Sequence, residues 1–238
     1  KKQVQEILID TWKKLDGEFY NKARKFLSNK IVKDKPLVPY KHQKKAIKEA
    51  KKYFINEDND RGKLIFPCGS GKSLTGYWIT EALESNSTLI AVPSLSLVKQ
   101  TLEVYLREIV ANGVNVKWLC ICSDEGIGKD SEVLIKTQDI GVPCLTDVEY
   151  ISNWLKENRN NKTIIFTTYQ SGRIIAEVSK ALKFKFDIGI FDEAHKTVGS
   201  KKKIFSHLLF EENIAIRKRI FMTATERFYS GNKDDIIS

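Results

Sequence analysis

The stretch Cys68-Gly69-Ser70-Gly71-Lys72-Ser73 decides the fold. It follows an apolar run, Leu64-Ile65-Phe66-Pro67, and precedes an amphipathic stretch, so it joins a predicted strand to a predicted helix. The glycines let the backbone turn its N–H groups inward without a Cβ clash, and the helix presents its positive end to an anion. The pattern predicts a phosphate-binding loop in which Gly69, Ser70 and Gly71 form the cradle. Lys72 would reach the β- and γ-phosphates, and the Ser73 hydroxyl would be a Mg²⁺ ligand.

A second apolar run, Ile188-Gly189-Ile190-Phe191, ends in Asp192-Glu193-Ala194-His195. An Asp at the carboxyl end of a buried parallel strand lies beside the phosphate loop in a doubly wound sheet. It can hold Mg²⁺ through water, while Glu193 orients or deprotonates the attacking water. A surface turn and an exposed acidic pair are the alternatives. The order of the two motifs favours one shared site for a nucleoside triphosphate.

Composition limits the class of protein. The chain has 238 residues, 42% of them hydrophobic, which suits one large α/β unit with an N-terminal extension. No apolar run could span a bilayer, and there is no secretory signal pattern. The four cysteines (Cys68, Cys120, Cys122 and Cys144) form no Cys-x-x-Cys pair and indicate reduced, buried thiols in a cytoplasmic protein. Because the chain starts at Lys1 and its single methionine is Met222, we expect a fragment of a longer polypeptide.

The positive charge is concentrated at the N-terminus. The chain carries a formal net charge of +10, and residues 1–52 hold 16 Lys and Arg against 6 Asp and Glu. The remaining residues carry equal numbers of each sign. A basic extension of this kind indicates nucleic-acid binding, and a solvated helix face is the alternative.

Predicted strands alternate with predicted helices, which indicates a doubly wound parallel sheet with helices on both faces. The predicted strands after the first are 88–92, 116–122, 163–167, 187–191 and 218–222. The predicted helices are 3–28, 42–55, 72–85, 95–111, 147–159 and 171–182, with Thr146 and Glu149 as a capping box for the fifth. We expect residues 1–36 to be a basic helical extension or linker and 37–238 to form the nucleotide-binding domain.

The ordered motifs resemble the first RecA-like motor domain of a superfamily 2 helicase or translocase of the DEAH kind. Pro39-Tyr40-x-x-Gln43 resembles the adenine-reading segment of that family. Ala91-Val92-Pro93-Ser94-Leu95 and Thr167-Thr168-Tyr169-Gln170-Ser171 resemble its two nucleic-acid-contacting segments. Asp192–His195 and Thr223-Ala224-Thr225 complete the series, and the resemblance covers roughly residues 37–227.

The resemblance implies ATP as substrate, Mg²⁺ as cofactor, and duplex DNA bound through its backbone phosphates. It implies that His195, Thr223 and Thr225 couple the nucleotide site to the rest of the motor. The nucleic-acid contacts that it implies are Ser94, Leu95, Thr168, Tyr169, Gln170, Ser171 and Arg173. A complete motor of this family has a second RecA-like domain that supplies arginines across the cleft.

A narrower resemblance is to the motors of restriction enzymes, especially single-polypeptide (Type ISP) enzymes similar to Type I systems. Asp139-Ile140-Gly141-Val142-Pro143 and Met222–Thr225 with Arg227 and Tyr229 resemble that group, whereas Glu226 replaces its usual proline. This resemblance implies flanking nuclease and methyltransferase domains and a prokaryotic cytoplasmic protein.

Several residues also have a plain structural interpretation. Gln43 suits adenine because a carboxamide both donates and accepts, but it could be an exposed helical glutamine. Ser171 and Ser94 could cap helices. Cys120 and Cys122 are interpreted as core thiols rather than metal ligands.

Three other functions stay open from the sequence. An RNA helicase uses similar backbone-directed motifs. A GTPase-type switch is suggested by Asn232-Lys233-Asp234-Asp235, although His195 stands where that class has glycine. A nucleotide-gated scaffold is the non-enzymatic alternative.

Overall fold

Six parallel strands form one sheet in the computed structural model, which describes residues 35–67, 69–123, 137–194 and 206–224. The order across the sheet is β1-β6-β5-β2-β4-β3. The strands are β1 (Arg61–Ile65), β2 (Ser87–Val92), β3 (Lys117–Ile121), β4 (Thr163–Thr168), β5 (Phe186–Phe191) and β6 (Ile216–Thr223). The predicted doubly wound α/β fold is confirmed, and each predicted strand after the first is present within one or two residues of its expected ends. The first strand begins at Arg61, three residues before the apolar run Leu64–Pro67 that indicated it.

Helices connect successive strands over both faces of the sheet. They are α1 (Lys41–Lys51), α2 (Lys72–Ala82), α3 (Leu95–Asn112), α4 (Val148–Glu157) and α5 (Gly172–Ala181), with short 3₁₀ turns at Thr137–Ile140 and His207–Leu209. The predicted helix 42–55 is divided, because α1 is followed by a π-helical turn, Lys52–Asn56. The predicted helix 3–28 lies outside the described residues. Within the described ranges, no helix has the length and apolar character needed to cross a membrane.

Two hydrophobic cores, one on each face of the sheet, explain why the central strands read as continuous apolar runs. Every residue of β2 and of β4 is buried. Along β2, Leu89 and Ala91 pack in the core beneath α4 and α5, whereas Ile90 and Val92 pack in the core beneath α2 and α3. This alternation is expected for a strand covered by helices on both sides.

One predicted helix cap is wrong. The expected capping box at Thr146 and Glu149 is replaced by a cap one residue later, because the Asp147 side chain accepts a hydrogen bond from Tyr150 N at 2.7 Å. Asp is as good an N-cap residue as Thr, and Glu149 then lies in the first turn, where its charge favours the helix. The helix itself is present as predicted.

A buried arginine holds the turn that leads into β6. The Arg219 side chain is 2% exposed. Its guanidinium donates to Ile216 O at 2.9 Å and to Ile214 O at 2.8 Å, and it pairs with Glu211 at 2.7 Å. Because the guanidinium is planar and carries several donors, one side chain can satisfy all three acceptors.

Replacing Arg219 by leucine should lower the free energy of unfolding by about 3 kcal/mol, since it leaves two buried carbonyls without their donor. Arg217 lies two residues earlier on the same strand and is exposed, so Arg217→Leu is the matched control and should change stability by less than about 0.5 kcal/mol. Urea unfolding of the two variants measures the difference. Equal destabilisation would contradict a special role for Arg219.

Candidate nucleotide-binding site

The loop between β1 and α2 has the backbone geometry of an anion cradle. Gly69 and Gly71 have φ values of 76° and 79°, in the left-handed region that favours glycine. Ser70 closes the turn, since its N–H and its hydroxyl both donate to Pro67 O, at 3.2 and 2.6 Å. Lys72 is the first residue of α2, so the positive end of this helix faces the loop.

Lys72 meets the two acidic residues that follow β5. Its ammonium lies 2.9 Å from Asp192 Oδ1 and 2.5 Å from Glu193 Oε1. The Asp192 side chain is only 3% exposed, compared with 12% for Lys72 and 19% for Glu193. Lys72 follows β1 and Glu193 follows β5. The fold therefore brings into direct contact two residues that are 121 positions apart in the sequence. The predicted proximity of Lys72 and Asp192 is confirmed, and the roles of these residues stay predictions.

The charges at this site depend on one another. Burial raises the pKa of Asp192, and Lys72 offsets only part of that effect. Partial burial alone would lower the pKa of Lys72, but its hydrogen bonds to Glu193 and Asp192 outweigh burial, and the pKa lies above its ordinary value. Lys72 thus stays charged at neutral pH and neutralises a pair of carboxylates that would otherwise repel each other.

Gln43, on α1, is hydrogen-bonded to the backbone of the phosphate loop. It is 2% exposed, and its Oε1 accepts from Tyr40 N at 2.9 Å. Its Nε2 donates to Ser70 O and Gly71 O, each at 3.4 Å. Tyr40 is 73% exposed and its ring stacks on His42, with centroids 6.0 Å apart. The alternative of an exposed helical glutamine is therefore wrong, and the carboxamide is already engaged by backbone groups.

A cavity of about 470 Å³ opens beside the phosphate loop. The sequence predicted the lining residues of the phosphate loop and the acidic pair after β5. It did not predict the lining residues that come from α3. On α3, Leu97, Gln100, Val104 and Arg107 line the cavity, and their spacing puts them on one helix face. The other lining residues are Leu37, Pro67, Gly69, Gly71, Lys72, Ser73, Leu74, Asp192 and Glu193.

The linker before α1 is also held by α3. The Glu108 carboxylate is fully buried and accepts from Leu37 N, at 3.2 and 3.3 Å to its two oxygens. A buried carboxylate needs such a donor to offset its loss of hydration. Glu108 occupies a helical position with no motif around it, so no sequence signal pointed to this contact.

The two segments expected to contact nucleic acid lie side by side at the carboxyl edge of the sheet, after β2 and β4. Ser94 caps α3, because its hydroxyl accepts from Leu97 N at 3.4 Å. Ser171 precedes α5 but does not cap it; its hydroxyl instead bonds Thr168 and Ser123, at 3.2 and 3.3 Å. Among the predicted contacts Ser94 and Gln170 are partly exposed and Arg173 is exposed, whereas Leu95, Thr168, Tyr169 and Ser171 are buried.

Tyr169 occupies a different place from the one predicted. Its ring is fully buried, and its hydroxyl donates to Asp192 O at 2.8 Å. Its backbone N–H donates to Val92 O at 3.0 Å, and Asp192 N donates to Ala91 O at 2.9 Å. The Tyr169 side chain therefore cannot touch a nucleic acid in this arrangement. It instead links the segment after β4 to the backbone of Asp192.

The predicted coupling residues are described only in part. Thr223 ends β6, is 8% exposed and stands opposite Ile65 in the register of β1 and β6. It therefore lies beside the start of the phosphate loop, because Phe66 N donates to its carbonyl at 3.0 Å. His195 and Thr225 lie outside the described residues, as do Cys68 and the Asn232–Asp235 stretch.

The two loop glycines permit a matched test of the cradle. A Cβ on Gly71 would lie 2.5 Å from Gln43 Nε2, whereas one on Gly69 would meet nothing within 4 Å. Gly69→Ala should therefore lower the free energy of unfolding by about 1 kcal/mol, from backbone strain alone. Gly71→Ala should lower it by more, since Gln43 must also move away. Thermal unfolding of both variants checks the order; equal losses would show that Gln43 does not restrain the loop.

The architecture and the phosphate loop are those of a RecA-like domain. The family described as "Type III restriction enzyme, res subunit" matches residues 36–228, and the chain belongs to this family, a helicase family. This membership favours the helicase interpretation over the GTPase and scaffold alternatives. Helicase-family membership implies ATPase activity in general.

Solved structures agree with this assignment. The "ATP-dependent Type ISP restriction-modification enzyme LlaBIII bound to DNA" is 28% identical, with a TM-score of 0.71 over 93% of this chain and 14% of that one. A nuclease-deletion mutant of the Type ISP enzyme LlaGI, in complex with a DNA substrate mimic, is 29% identical, with a TM-score of 0.61 over 81% of this chain and 18% of that one. The predicted resemblance to Type ISP motors is thereby confirmed.

A curated relative shows a similar match. "Probable helicase A859L" of African swine fever virus (isolate Tick/South Africa/Pretoriuskop Pr4/1996) is 27% identical over 169 residues. This match covers 71% of the chain and 17% of the relative. The chain thus spans less than a fifth of each of these proteins.

Proposed function

We propose that residues 37–238 form the first RecA-like domain of an ATP-driven motor that moves on duplex DNA within a restriction-modification enzyme. One observation carries the proposal: the Lys72 ammonium contacts both Asp192 and Glu193 at the mouth of the phosphate loop. Phosphoryl transfer with a divalent metal uses a lysine for the phosphates, an acid for the metal and an acid for the water, and this contact gathers all three beside the anion cradle.

The donor set suits Mg²⁺. Asp192 offers a carboxylate, the Ser73 hydroxyl lines the same cavity, and hard oxygen ligands are what Mg²⁺ prefers. When bound, Mg²⁺ supplies positive charge to the phosphates of ATP. Lys72 then leaves the two carboxylates for the phosphates, and Glu193 is free to orient water and accept its proton. The Gly69–Gly71 amides would bind phosphate oxygens, and the exposed Tyr40 ring, next to Gln43, would be available to the base.

Nucleic acid would bind along the carboxyl edge of the sheet. Ser94, Gln170 and Arg173 offer a hydroxyl, an amide and a guanidinium at the surface of the two segments after β2 and β4. These groups suit phosphate oxygens, so binding should be independent of sequence and sensitive to salt. The narrower choice of duplex DNA rests on the likeness to enzymes whose structures contain DNA.

Efficient turnover needs a second RecA-like domain that contributes arginine across the cleft. An arginine of this kind accelerates related phosphoryl transfers by about 10³ to 10⁵. We therefore expect the 238-residue chain alone to bind nucleotide weakly and to hydrolyse it slowly.

The decisive experiment compares ATP turnover by a polypeptide that carries both motor domains with duplex DNA, single-stranded DNA and RNA. Stimulation by duplex DNA, reduced steeply by salt, is the expected result. If only RNA stimulated ATP turnover, the proposed function would change from a DNA motor to an RNA helicase. No hydrolysis of ATP under any condition would overturn the proposal.

Tyr169 provides a further prediction, since its hydroxyl ties the nucleic-acid segment to Asp192. Tyr169→Phe keeps the buried ring but removes the donor to Asp192 O. We expect DNA-stimulated turnover to fall by about three- to tenfold, the size of one buried hydrogen bond, with basal turnover little changed. Tyr150→Phe, on the exposed side of α4, is the matched control. An equal loss of basal and stimulated turnover would show only a structural role.

A further inference from the structure

Three cysteine thiols meet at the β3 edge of the sheet. Cys120 lies on β3 and Cys122 directly follows it, so the two side chains point to the same face. Cys144 comes from a separate segment that forms a parallel bridge with Cys120, and Leu145 N donates to Cys120 O at 2.9 Å. The Cys120 sulfur lies 3.7 Å from that of Cys122 and 3.5 Å from that of Cys144.

We propose that Cys120, Cys122 and Cys144 form a binding site for a thiophilic d¹⁰ cation such as Zn²⁺. All three sulfurs lie within 4.8 Å of one another. With a metal–sulfur bond of about 2.3 Å, tetrahedral geometry separates two sulfur ligands by about 3.8 Å. The sulfurs are thus already near the spacing that one ion requires, and thiolates are the ligands that select such ions.

The surroundings of the thiols fit a closed site with one entrance. Cys120 and Cys122 are buried, at 0% and 2% exposure, whereas Cys144 is half-buried and connects the cluster to solvent. Within the described ranges, no other group of three or more His, Cys, Asp or Glu side chains could hold a metal ion. The site lies away from the phosphate loop, so it does not depend on the proposed function.

Binding exchanges protons for metal without any redox step. Hydrogen bonds to Cys122 and Cys144, together with burial, raise the pKa of Cys120, so this thiol is neutral in the metal-free protein. A divalent ion that forms three metal–sulfur bonds displaces three thiol protons to solvent and leaves a complex with one negative charge. Cys144 is partly exposed, so we expect a fourth ligand to come from solvent on its side.

A bound ion would fix the carboxyl end of β3. It would tie the 137–145 segment to an edge strand that has only one neighbour in the sheet. Ser123, the residue after Cys122, donates from its N–H to Ser171 Oγ at 3.1 Å. The ion would therefore also steady Ser123, which contacts the segment after β4.

The test uses the 238-residue chain, purified with reduced thiols and freed of metal by a chelator. Zn²⁺ is titrated against a competing indicator, and Cd²⁺ is used as a probe because cadmium–thiolate bonds absorb in the near ultraviolet. We expect one ion per chain, cadmium–thiolate absorption and a rise in Tm on metal addition. Cys144→Ser should weaken binding at least tenfold. Cys68→Ser is the matched control, since it leaves the cluster intact, and should bind like the parent chain.

Several outcomes would overturn the site. These are less than stoichiometric uptake of both ions by the reduced chain, equal loss in the Cys68 and Cys144 variants, or recovery of the thiols only as a disulfide. Because Cys144 is the most exposed of the three, its serine variant should keep the far-ultraviolet circular dichroism and the metal-free Tm of the parent chain. Retention of full Zn²⁺ affinity by that folded variant would also contradict the proposal.

Discussion

Replacing Lys72 by alanine should reduce ATP turnover by at least about 10² to 10³, the loss that follows removal of one preorganised group that stabilises transition-state charge. It should also weaken binding of the nucleotide to the 238-residue chain, because the cradle loses its only side-chain cation in direct contact with Asp192 among the described residues. Turnover is measured on a polypeptide with both motor domains, and affinity with a fluorescent ATP analogue.

The same substitution should destabilise the nucleotide-free chain. Without the ammonium, the buried Asp192 carboxylate loses its partner and faces Glu193 directly, which should lower the free energy of unfolding on the order of 3 kcal/mol. The raised pKa of Lys72 gives this stabilisation a definite pH range. It is present at neutral pH and is lost as the pH rises through the folded-state pKa, above the ordinary 10.5.

One further variant distinguishes the contribution of the Lys72 charge to stability from its contribution to ATP turnover, and a second variant is its control. Lys72→Arg keeps a positive charge between the acids, so most of the stability should return, whereas turnover should stay low because a planar guanidinium does not replace a compact ammonium. Lys156→Ala changes an exposed lysine in the last turn of α4 and is the control for surface charge. Turnover by Lys72→Ala within threefold of the parent would exclude Lys72 from the nucleotide site.

The sequence predicted the strands well because the fold imposes a strong signal on them. β2 and β4 are covered on both faces, so each has a continuous apolar run, Leu89–Val92 and Ile164–Phe166, and their helices must carry an apolar stripe. No sequence pattern indicated that the predicted helix 42–55 is divided into an α-helix and a π-helical turn. There the Lys218 ammonium, from β6, donates to Phe54 O within the π-helical turn. Because the two residues are 164 positions apart, the sequence around residues 42–55 does not indicate this contact.

The candidate site was predictable where chemistry restricts residue type and unpredictable where packing decides. The proposed function restricts residue type at the loop glycines, at Lys72 and at the acids after β5, because each is expected to meet a phosphate, a metal or water. By contrast, Tyr169 was expected to contact nucleic acid because its segment, Thr167–Ser171, resembles one that does so in the helicase family. The sequence could not show that its ring turns into the core beneath α5 and reaches Asp192.

Glu193 differs from Asp192 in ways that suit a group that handles water. It is the more exposed of the two acids and has a left-handed backbone, with φ of 50°. Its N–H donates to Asp192 Oδ1 at 2.8 Å, so its main chain helps to orient the proposed metal ligand while its own carboxylate lines the cavity. Asp192, nearly buried, is better placed to hold an ion than to exchange protons with solvent.

Glu193→Gln should therefore separate hydrolysis from binding. The carboxamide keeps the size of the side chain but cannot accept a proton from water, so kcat should fall by about 10² to 10⁴. Nucleotide affinity should be retained, because Lys72, Ser73 and the loop amides are unchanged. Asp192→Asn should instead weaken Mg²⁺-dependent binding. Glu103→Gln, on the exposed face of α3, is the matched control.

Rapid mixing of enzyme with ATP gives the hydrolysis step, and equilibrium titration gives the affinity. A Glu193→Gln enzyme that binds ATP with Mg²⁺, accumulates the unhydrolysed complex and still associates with DNA is the expected result. If kcat stays within threefold of the parent while affinity drops, Glu193 contributes to binding alone. The group that accepts the proton from water must then be another acid of the site, and Asp192, which also lines the cavity, is the first to test.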